Sequence, residues 1–405
     1  MSTSLALLLA LSAVPPLRLP DLLADARERN PELRAALALA RASASSVSPA
    51  GALDDPMFLV QYWNGPVDFS VVPIMFQLSQ TFPLGGKLQA KSDAAAAEAK
   101  VAQAEAASRL RDVERDVTRA YVDLAVAERT LVIHDEMLGV LRSLSSVAAS
   151  RIAAGKSEVV DRLKADTEVL KEEGVHESLL AEQTVARVKL AALLDRTPSD
   201  LSGSTEDLAT PRALPPDDVL LARAKKERPE LEVAASIVQA AEAREKLAGA
   251  SGVPDLTPLV AYMHTFNQAP PNNFLFLGLQ MNLPIWRGNK VEPAVAAARA
   301  RLEAGRALAD ALRVRIQSEV VASAAQLRTE QRLVEIQEQL VPLAKQALSS
   351  AISGYAAGRV GLLTVLDSER EALMQRLELV RHVALREQRL AELERAVGGS
   401  LEVVR

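Results

Sequence analysis

The chain has 405 residues with a net charge of −5, no cysteine and only 3% aromatic residues. That length holds two or three ordinary domains or one large repeated unit, and the Ala- and Leu-rich, charge-rich composition is that of long helices and coiled coils. Net negative charge argues against nucleic acid as a partner. The absence of Cys excludes disulfides, thiolate metal sites and a lipidated N-terminal Cys.

Leu5 to Val14 is a short apolar run ending in small residues, with no Lys or Arg before it. It reads as the core of a secretory signal with cleavage after Ala13, and residues 1–20 are taken as signal and lead. Asp21 is read as the N-cap of a short helix that runs to Arg29 and breaks at Asn30-Pro31-Glu32-Leu33. A second helix is predicted from Pro31 to Ser48. The same words return at Asp217 and at Arg228-Pro229-Glu230-Leu231.

Strands follow each of these helices. Phe58, Val60 and Tyr62 alternate with Met57, Leu59 and Gln61; Asn64-Gly65-Pro66 turns the chain beyond Trp63; Ile74, Phe76 and Leu78 alternate with Met75, Gln77 and Ser79. In the second half Val260, Tyr262 and Phe266 answer them. The run Phe274 to Leu283 sets Leu275, Leu277, Leu279, Met281 and Leu283 against Gly278, Gln280 and Asn282. Period-2 alternation of this kind predicts strands with one greasy and one wet face.

Each strand pair ends in a joint. The first is Gln80-Thr81-Phe82-Pro83-Leu84-Gly85-Gly86-Lys87, and the second is Leu283-Pro284-Ile285-Trp286-Arg287-Gly288-Asn289-Lys290. Pro83 and Pro284 stop strand pairing, and Gly85, Gly86 and Gly288 allow a sharp backbone. Trp286 stands where an interfacial anchor would stand, though a chance loop aromatic reads equally well.

Long helices come next. Leu110, Val117, Leu124, Leu131 and Leu138 recur every seven residues, with Val113, Ala120, Ala127, Leu141 and Ala148 on the second seam position. An offset of 203 carries this pattern onto Ile316, Val320, Leu327, Val334, Val341 and Ala344, and carries Lys87 to Lys290 and Gly155 to Gly358. Sustained heptads mean coiled-coil packing. At 1.5 Å per residue, Leu88 to Ala153 spans roughly 100 Å. Gly139 and Pro342 correspond, and a shared bend is expected there. The turns Ala154-Gly155-Lys156-Ser157 and Ala357-Gly358-Arg359-Val360-Gly361 lead into return helices, Glu158 to Leu194 and Leu362 to Val397. The chain thus reads as two repeats, 21–196 (strands about 56–82, helical hairpin 87–196) and 217–399 (strands about 258–283, helical hairpin 290–397), joined by the linker 197–216.

No enzyme motif survives inspection. Gly155-Lys156-Ser157 echoes a phosphate loop, but Ser150 stands where its first Gly belongs and the context is helix–turn–helix. His134, His176, His264 and His382 lack metal-site spacing, and His134 falls on a seam as a packed or pore-facing residue. The helical carboxylates read as solvated faces. No cofactor and no metal site is predicted.

Four strands per chain cannot close a barrel, and hydrocarbon does not tolerate open sheet edges. Strands of about ten residues match a bilayer crossed at a tilt. Three copies sharing one 12-stranded barrel resolve this.

The layout resembles the outer membrane efflux protein (TolC-like) family. The matching residues are the two Pro-Glu-Leu corners, the FPLGGK joint at Phe82 to Lys87, Leu340-Val341-Pro342-Leu343-Ala344, and Tyr355-Ala356-Ala357-Gly358 with Val360-Gly361-Leu362-Leu363-Thr364. The likeness covers about residues 21 to 399. It implies a mainly α fold with a small β part: a homotrimer with a β-barrel in outer-membrane lipid and an α-helical barrel in the periplasm. The function it implies is a passive channel-tunnel of a tripartite efflux or type I secretion system. The partners it implies are a periplasmic adaptor (membrane fusion protein) and an inner-membrane pump such as an RND transporter or ABC exporter. The tips Gly155, Lys156, Gly358, Arg359, Val360, Gly361 and Leu362 would meet the adaptor. Thr364 and Asp367 would stand at the periplasmic gate, where family members carry Asp residues in a ring. The Ser79 to Lys87 joint resembles the branch serving heavy-metal efflux, with drugs or a polypeptide left open as cargo. The competing reading is a periplasmic coiled-coil adaptor or structural protein without a pore. An adaptor should show one helical hairpin between small β domains, whereas this chain has two hairpins and two strand pairs.

Overall fold

The computed structural model describes residues 15–62, 72–208, 213–266, 270 and 272–401. The predicted signal segment and the Trp63 to Pro66 turn lie outside the described residues. The helices are α1 (Leu19–Arg29), α2 (Pro31–Ser45), α3 (Val47–Ala50), α4 (Lys87–Ala153), α5 (Val159–Leu193), α6 (Asp217–Glu227), α7 (Pro229–Ala250), α8 (Glu292–Ala356) and α9 (Leu362–Val397). The strands are β1 (Met57–Tyr62), β2 (Val72–Ser79), β3 (Phe82–Pro83), β4 (Asp255–Phe266) and β5 (Asn273–Met281). Among the described residues no helix is long and apolar enough to cross a membrane.

Two helix starts differ from expectation. Arg18, not Asp21, caps α1, because Pro20 suits the first turn and Asp21 then sits inside it, where the helix dipole favours an acid. The helix expected over Pro31 to Ser48 is broken at Ser46, whose amide is shared between the Ala42 and Ser43 carbonyls.

The chain forms two compact units, each drawn from both halves of the sequence. One comprises residues 1–34, 109–228 and 316–405. In it α4 lies between α5 and α9. On the α5 side, Glu128 takes Arg187 at 2.9 Å and Glu173 takes Arg142 at 2.8 Å. On the α9 side, Asp112 takes Arg395 at 2.6 Å, Glu136 takes Arg376 at 2.6 Å and Asp123 accepts from Gln388. Helix α8 joins α9 through Glu330 and His382, 2.8 Å apart. The heptad seam is the core: Val113, Val117, Leu124, Leu138 and Leu141 of α4 are buried, as are Ile316, Val320, Leu327 and Val334 of α8. By contrast α5 exposes Val159, Leu163, Leu170 and Val185, and α8 exposes Ile336 and Leu343.

The two Pro-Glu-Leu corners perform the same task. Asn30 is buried; its side-chain Nδ2 donates to the Leu193 carbonyl at the end of α5, while its side-chain Oδ1 accepts the Leu33 amide. Arg228 is buried and donates to the Ala396 carbonyl near the end of α9, and pairs with Glu319 at 2.7 Å. Leu193 and Ala396 are related by the same offset of 203.

The second unit comprises residues 35–108 and 229–315. Its helices meet through small residues, Ala94 and Ala97 against Ala240 and Ala243, flanked by Arg244–Glu98, Arg299–Glu245 and Arg306–Glu242 pairs. Its sheet is antiparallel in the order β1-β2-β4-β5, with β3 continuing beside β4 beyond the end of β2. Register places Phe58, Leu78, Val260 and Leu277 in one row, and Val60, Phe76, Tyr262 and Leu275 in the next. All eight are exposed. The opposite face carries Met75, Gln77, Ser79, Gly278 and Gln280 as expected, but also Ala261, Met263, Phe274 and Phe276. Both faces of β5 are therefore apolar over Phe274 to Leu277.

Candidate functional site

The candidate sites are the two joints, the two tips and the turn of α9 beyond the second tip. At the first joint, β3 pairs Pro83 with Asp255 of β4, and Gly85 and Gly86 take φ of 68° and 73°. A side chain at Gly85 would also run into Val253, 2.6 Å from the position of a Cβ. Lys87, buried, then reaches Asp255 at 2.6 Å. Asp255 in turn is bonded through its amide and its carboxylate to the Asn282 side chain at the end of β5. Asn282, expected only to face away from the leucines, is thus a structural tie between strand ends.

The second joint is built differently. Between Pro284 and Lys290 it has two residues more than lie between Pro83 and Lys87. The chain winds them into a π-helical turn, Arg287–Val291, the usual way an insertion is absorbed at a helix start. Gly288 lies inside this turn with open space about it and has no left-handed φ. Lys290 is exposed, unlike Lys87. The large side chains Ile285 and Trp286 are 72% and 69% exposed beside it.

The tips match bond for bond. Gly155 and Gly358 take φ of 67° and 74°. The Gly155 amide donates to Ile152 and the Lys156 amide to Arg151; the Gly358 amide donates to Tyr355 and the Arg359 amide to Gly354. Both are Schellman caps, which need a left-handed residue and so select Gly. Gly155, Lys156, Gly358, Arg359 and Gly361 are exposed; Val360 packs on Gly354; Leu362 is 2% exposed and belongs to the core beneath the tip. Leu363 is exposed at this level, as are Val159 and Val160 beside the first tip.

A clasp joins the two tips. Arg151 donates to the Tyr355 carbonyl and to the Lys156 carbonyl, and its guanidinium lies 4.5 Å from the centre of the Tyr355 ring. The Tyr355 hydroxyl, buried, donates to Asp161 of α5, which also accepts from Ser157. The sequence offered Tyr355 as part of a motif but gave no sign of Arg151, which acts 204 positions away.

Thr364 and Asp367 both point outward from the first turns of α9. Among the described residues the Asp367 carboxylate has only Arg370 beside it, at 3.9 Å, and Arg370 is also engaged by Glu168. His134, in contrast, is buried against Glu172 with 2.5 Å between Nδ1 and Oε1. Among the described residues no group of three or more His, Asp or Glu side chains is placed to hold a metal ion.

Comparison with known proteins places the chain. The family described as outer membrane efflux protein matches residues 22–196 and 220–399. The cobalt-zinc-cadmium resistance protein CzcC of Cupriavidus metallidurans is 24% identical over 326 residues, 80% of this chain and 76% of its own length. The outer-membrane channel OprN has the same fold at a TM-score of 0.80 and 20% identity, over 94% of this chain and 90% of its own. The outer membrane protein VceC from Vibrio cholerae has it at 0.80 and 20%, over 95% and 97%.

Proposed function

We propose that three copies of the chain close one pore, and the premise is membership: the chain belongs to the outer membrane efflux protein family. It is an outer-membrane efflux channel that extends into the periplasm, and the reading as a periplasmic adaptor without a pore is set aside. The family is one of channels, not of enzymes.

One observation supports the trimer above others. The sheet carries continuous exposed apolar rows across β1, β2, β4 and β5, and each of the outer strands β1 and β5 pairs on one side only among the described residues. In hydrocarbon the apolar face is satisfied and the free edges are not. Pairing β5 of one copy with β1 of the next gives twelve strands and removes every edge. The apolar stripes on α5 and α8 would meet in the same operation. Native mass spectrometry in detergent should give three copies, and a folded monomer in plain buffer would overturn the assembly.

The two sequence repeats, 21–196 and 217–399, are read as the units that each supply one strand pair and one helical hairpin. The tips around Gly155 and Gly358 are read as the docking end for a periplasmic adaptor, which couples the channel to an inner-membrane pump of RND or ABC type. Their equal distance from the joints supports this. Thr364 and Asp367 are read as the gate. Three Asp367 carboxylates about one axis would favour cations, and Arg370 beside each would temper that charge.

For cargo we propose divalent transition-metal cations. The likeness to a protein named for cobalt, zinc and cadmium resistance supports it, as does the acidic gate. Loss of the gene should sensitise cells to these metals and not to hydrophobic drugs; the reverse pattern would replace metal ions by drugs as cargo.

A further inference from the structure

Three ionisable side chains are buried together in the bundle behind the tips. Glu369 of α9 is 5% exposed, Glu172 of α5 8% and His134 of α4 7%. They belong to the three helices that pack on one another here, and the surrounding core includes Ala165, Leu366 and Ala372. His134 answers Glu172 at 2.5 Å. Among the described residues Glu369 has no such partner: the charges that act on it are Glu172 and Glu168 of α5 and its own neighbour Arg370. Arg370 is shared with Glu168 and Asp367, and Glu168 also takes Lys171. Arg376, two turns further along the same face, is committed to Glu136 of α4. Helix α8 contributes Ala344, Leu348, Ala351 and Tyr355 to this core, the Tyr355 hydroxyl being turned to Asp161, with Lys345 exposed.

We propose that Glu369, Glu172 and His134 form a proton-operated latch. A proton on Glu369 holds α9 against α4 and α5; its loss places a second buried anion beside Glu172 and loosens α9. The latch concerns the packing of helices within one chain, so it stands or falls apart from the pore, the adaptor and the cargo.

Burial, and after it the charge of Glu172, push the Glu369 carboxyl up to about 7 from 4.5. The folded chain therefore binds this proton more tightly than the unfolded chain does. The closed packing has its full advantage below the unfolded value, loses it as pH rises, and has none left above about 7. Acid tightens the hairpin and mild alkali relaxes it.

Hydrogen exchange on the full-length protein in detergent tests this. Exchange of amides 362–376 is divided by the intrinsic chemical rate at each pH, so that only opening is read. Between about pH 5.5 and about pH 8.5, opening in the natural protein should rise by roughly tenfold or more. Glu369→Gln keeps the size and the neutral form, and should show the low-pH value throughout. A flat profile in the natural protein, or an unchanged rise in Glu369→Gln, would overturn the latch. Glu172→Gln gives a second reading that does not touch Glu369. Removing the repelling anion should move the midpoint to lower pH, and an unmoved midpoint would overturn the coupling.

Discussion

The two hairpins agree in length, in the bonds of their caps and in the corner that receives their return helices, yet they bury opposite helices. Leu362 and Leu366 of α9 are 2% and 3% exposed, while Val159 and Leu163, their counterparts at the offset of 203, are 62% and 60% exposed. Asp367 and Lys164, another such pair, even carry opposite charge. Duplication has preserved what sets length and direction and has released what sets sidedness. Helix α9 lies inside its unit, with α4 and α8 on either side. Helix α5 is an outer member: it buries Ala165, Leu179 and Leu190 against the bundle while Val159, Leu163, Leu170 and Val185 face away.

The largest test of this contrast is truncation on each side. Leu366→Ala should lower the stability of the chain by about 2–5 kcal/mol, the cost of emptying a buried site. Leu163→Ala should leave chain stability within about 0.5 kcal/mol and weaken assembly of the copies instead. Urea midpoints and native mass spectrometry read the two effects separately; equal losses of stability would erase the distinction between the hairpins.

The corners come next. Arg228→Ala removes a buried charge from Glu319, whose side chain is 34% exposed. Its cost should be about 2 kcal/mol, below that of a fully buried pair because water reaches Glu319. Asn30→Ala loses a neutral cap and should cost about 1 kcal/mol. A reversal of that order in thermal unfolding would mean that the charge pair adds nothing over the amide.

At the tips, Gly155→Val and Gly358→Val should each cost about 1–2 kcal/mol for the left-handed backbone. Only the second also sets a side chain in contact with Arg151, whose guanidinium nitrogens lie 3.6 Å from a Cβ at Gly358. Export should therefore fail in Gly358→Val with the copies still assembled in the membrane, and persist in part in Gly155→Val. Normal export by Gly358→Val would remove the second tip from the docking surface. The smallest effect on stability is expected at the residues proposed as the gate. Asp367→Ala should leave folding unchanged and reduce cation selectivity and divalent block in planar bilayers, whereas Lys164→Ala should not reduce either. Unchanged selectivity in Asp367→Ala would take that residue out of the pore lining.

Much of the fold was legible because it is periodic. The heptad over Leu110 to Leu138 marked the buried seam, and α9 begins and ends at the predicted residues, Leu362 and Val397. The strand alternation gave the apolar rows. The parts that escaped depend on distant partners. Lys87 finds Asp255 across 168 positions, and Arg151 finds Tyr355 across 204. Neither spacing leaves a local trace. Glu172 and Glu369 escaped for another reason. A carboxylate within a helical heptad reads as part of a solvated face, and only the packing of a third helix turns these two inward. At the second joint the kinship to the first was visible, but the two added residues gave no hint whether they would loop out or wind into a π turn.

The Schellman caps carry one more consequence. At both tips the carbonyls of Arg151, Ile152, Gly354 and Tyr355 are already bonded to amides of the turn, whereas an uncapped helix end leaves its last carbonyls to water. A protein that covers these turns thus finds part of the backbone already dry. It displaces little bound hydration there and needs to supply no donors of its own for those four acceptors. Contact could then be made and broken at the tips without a large enthalpy of dehydration on either stroke, in keeping with the docking role proposed for them.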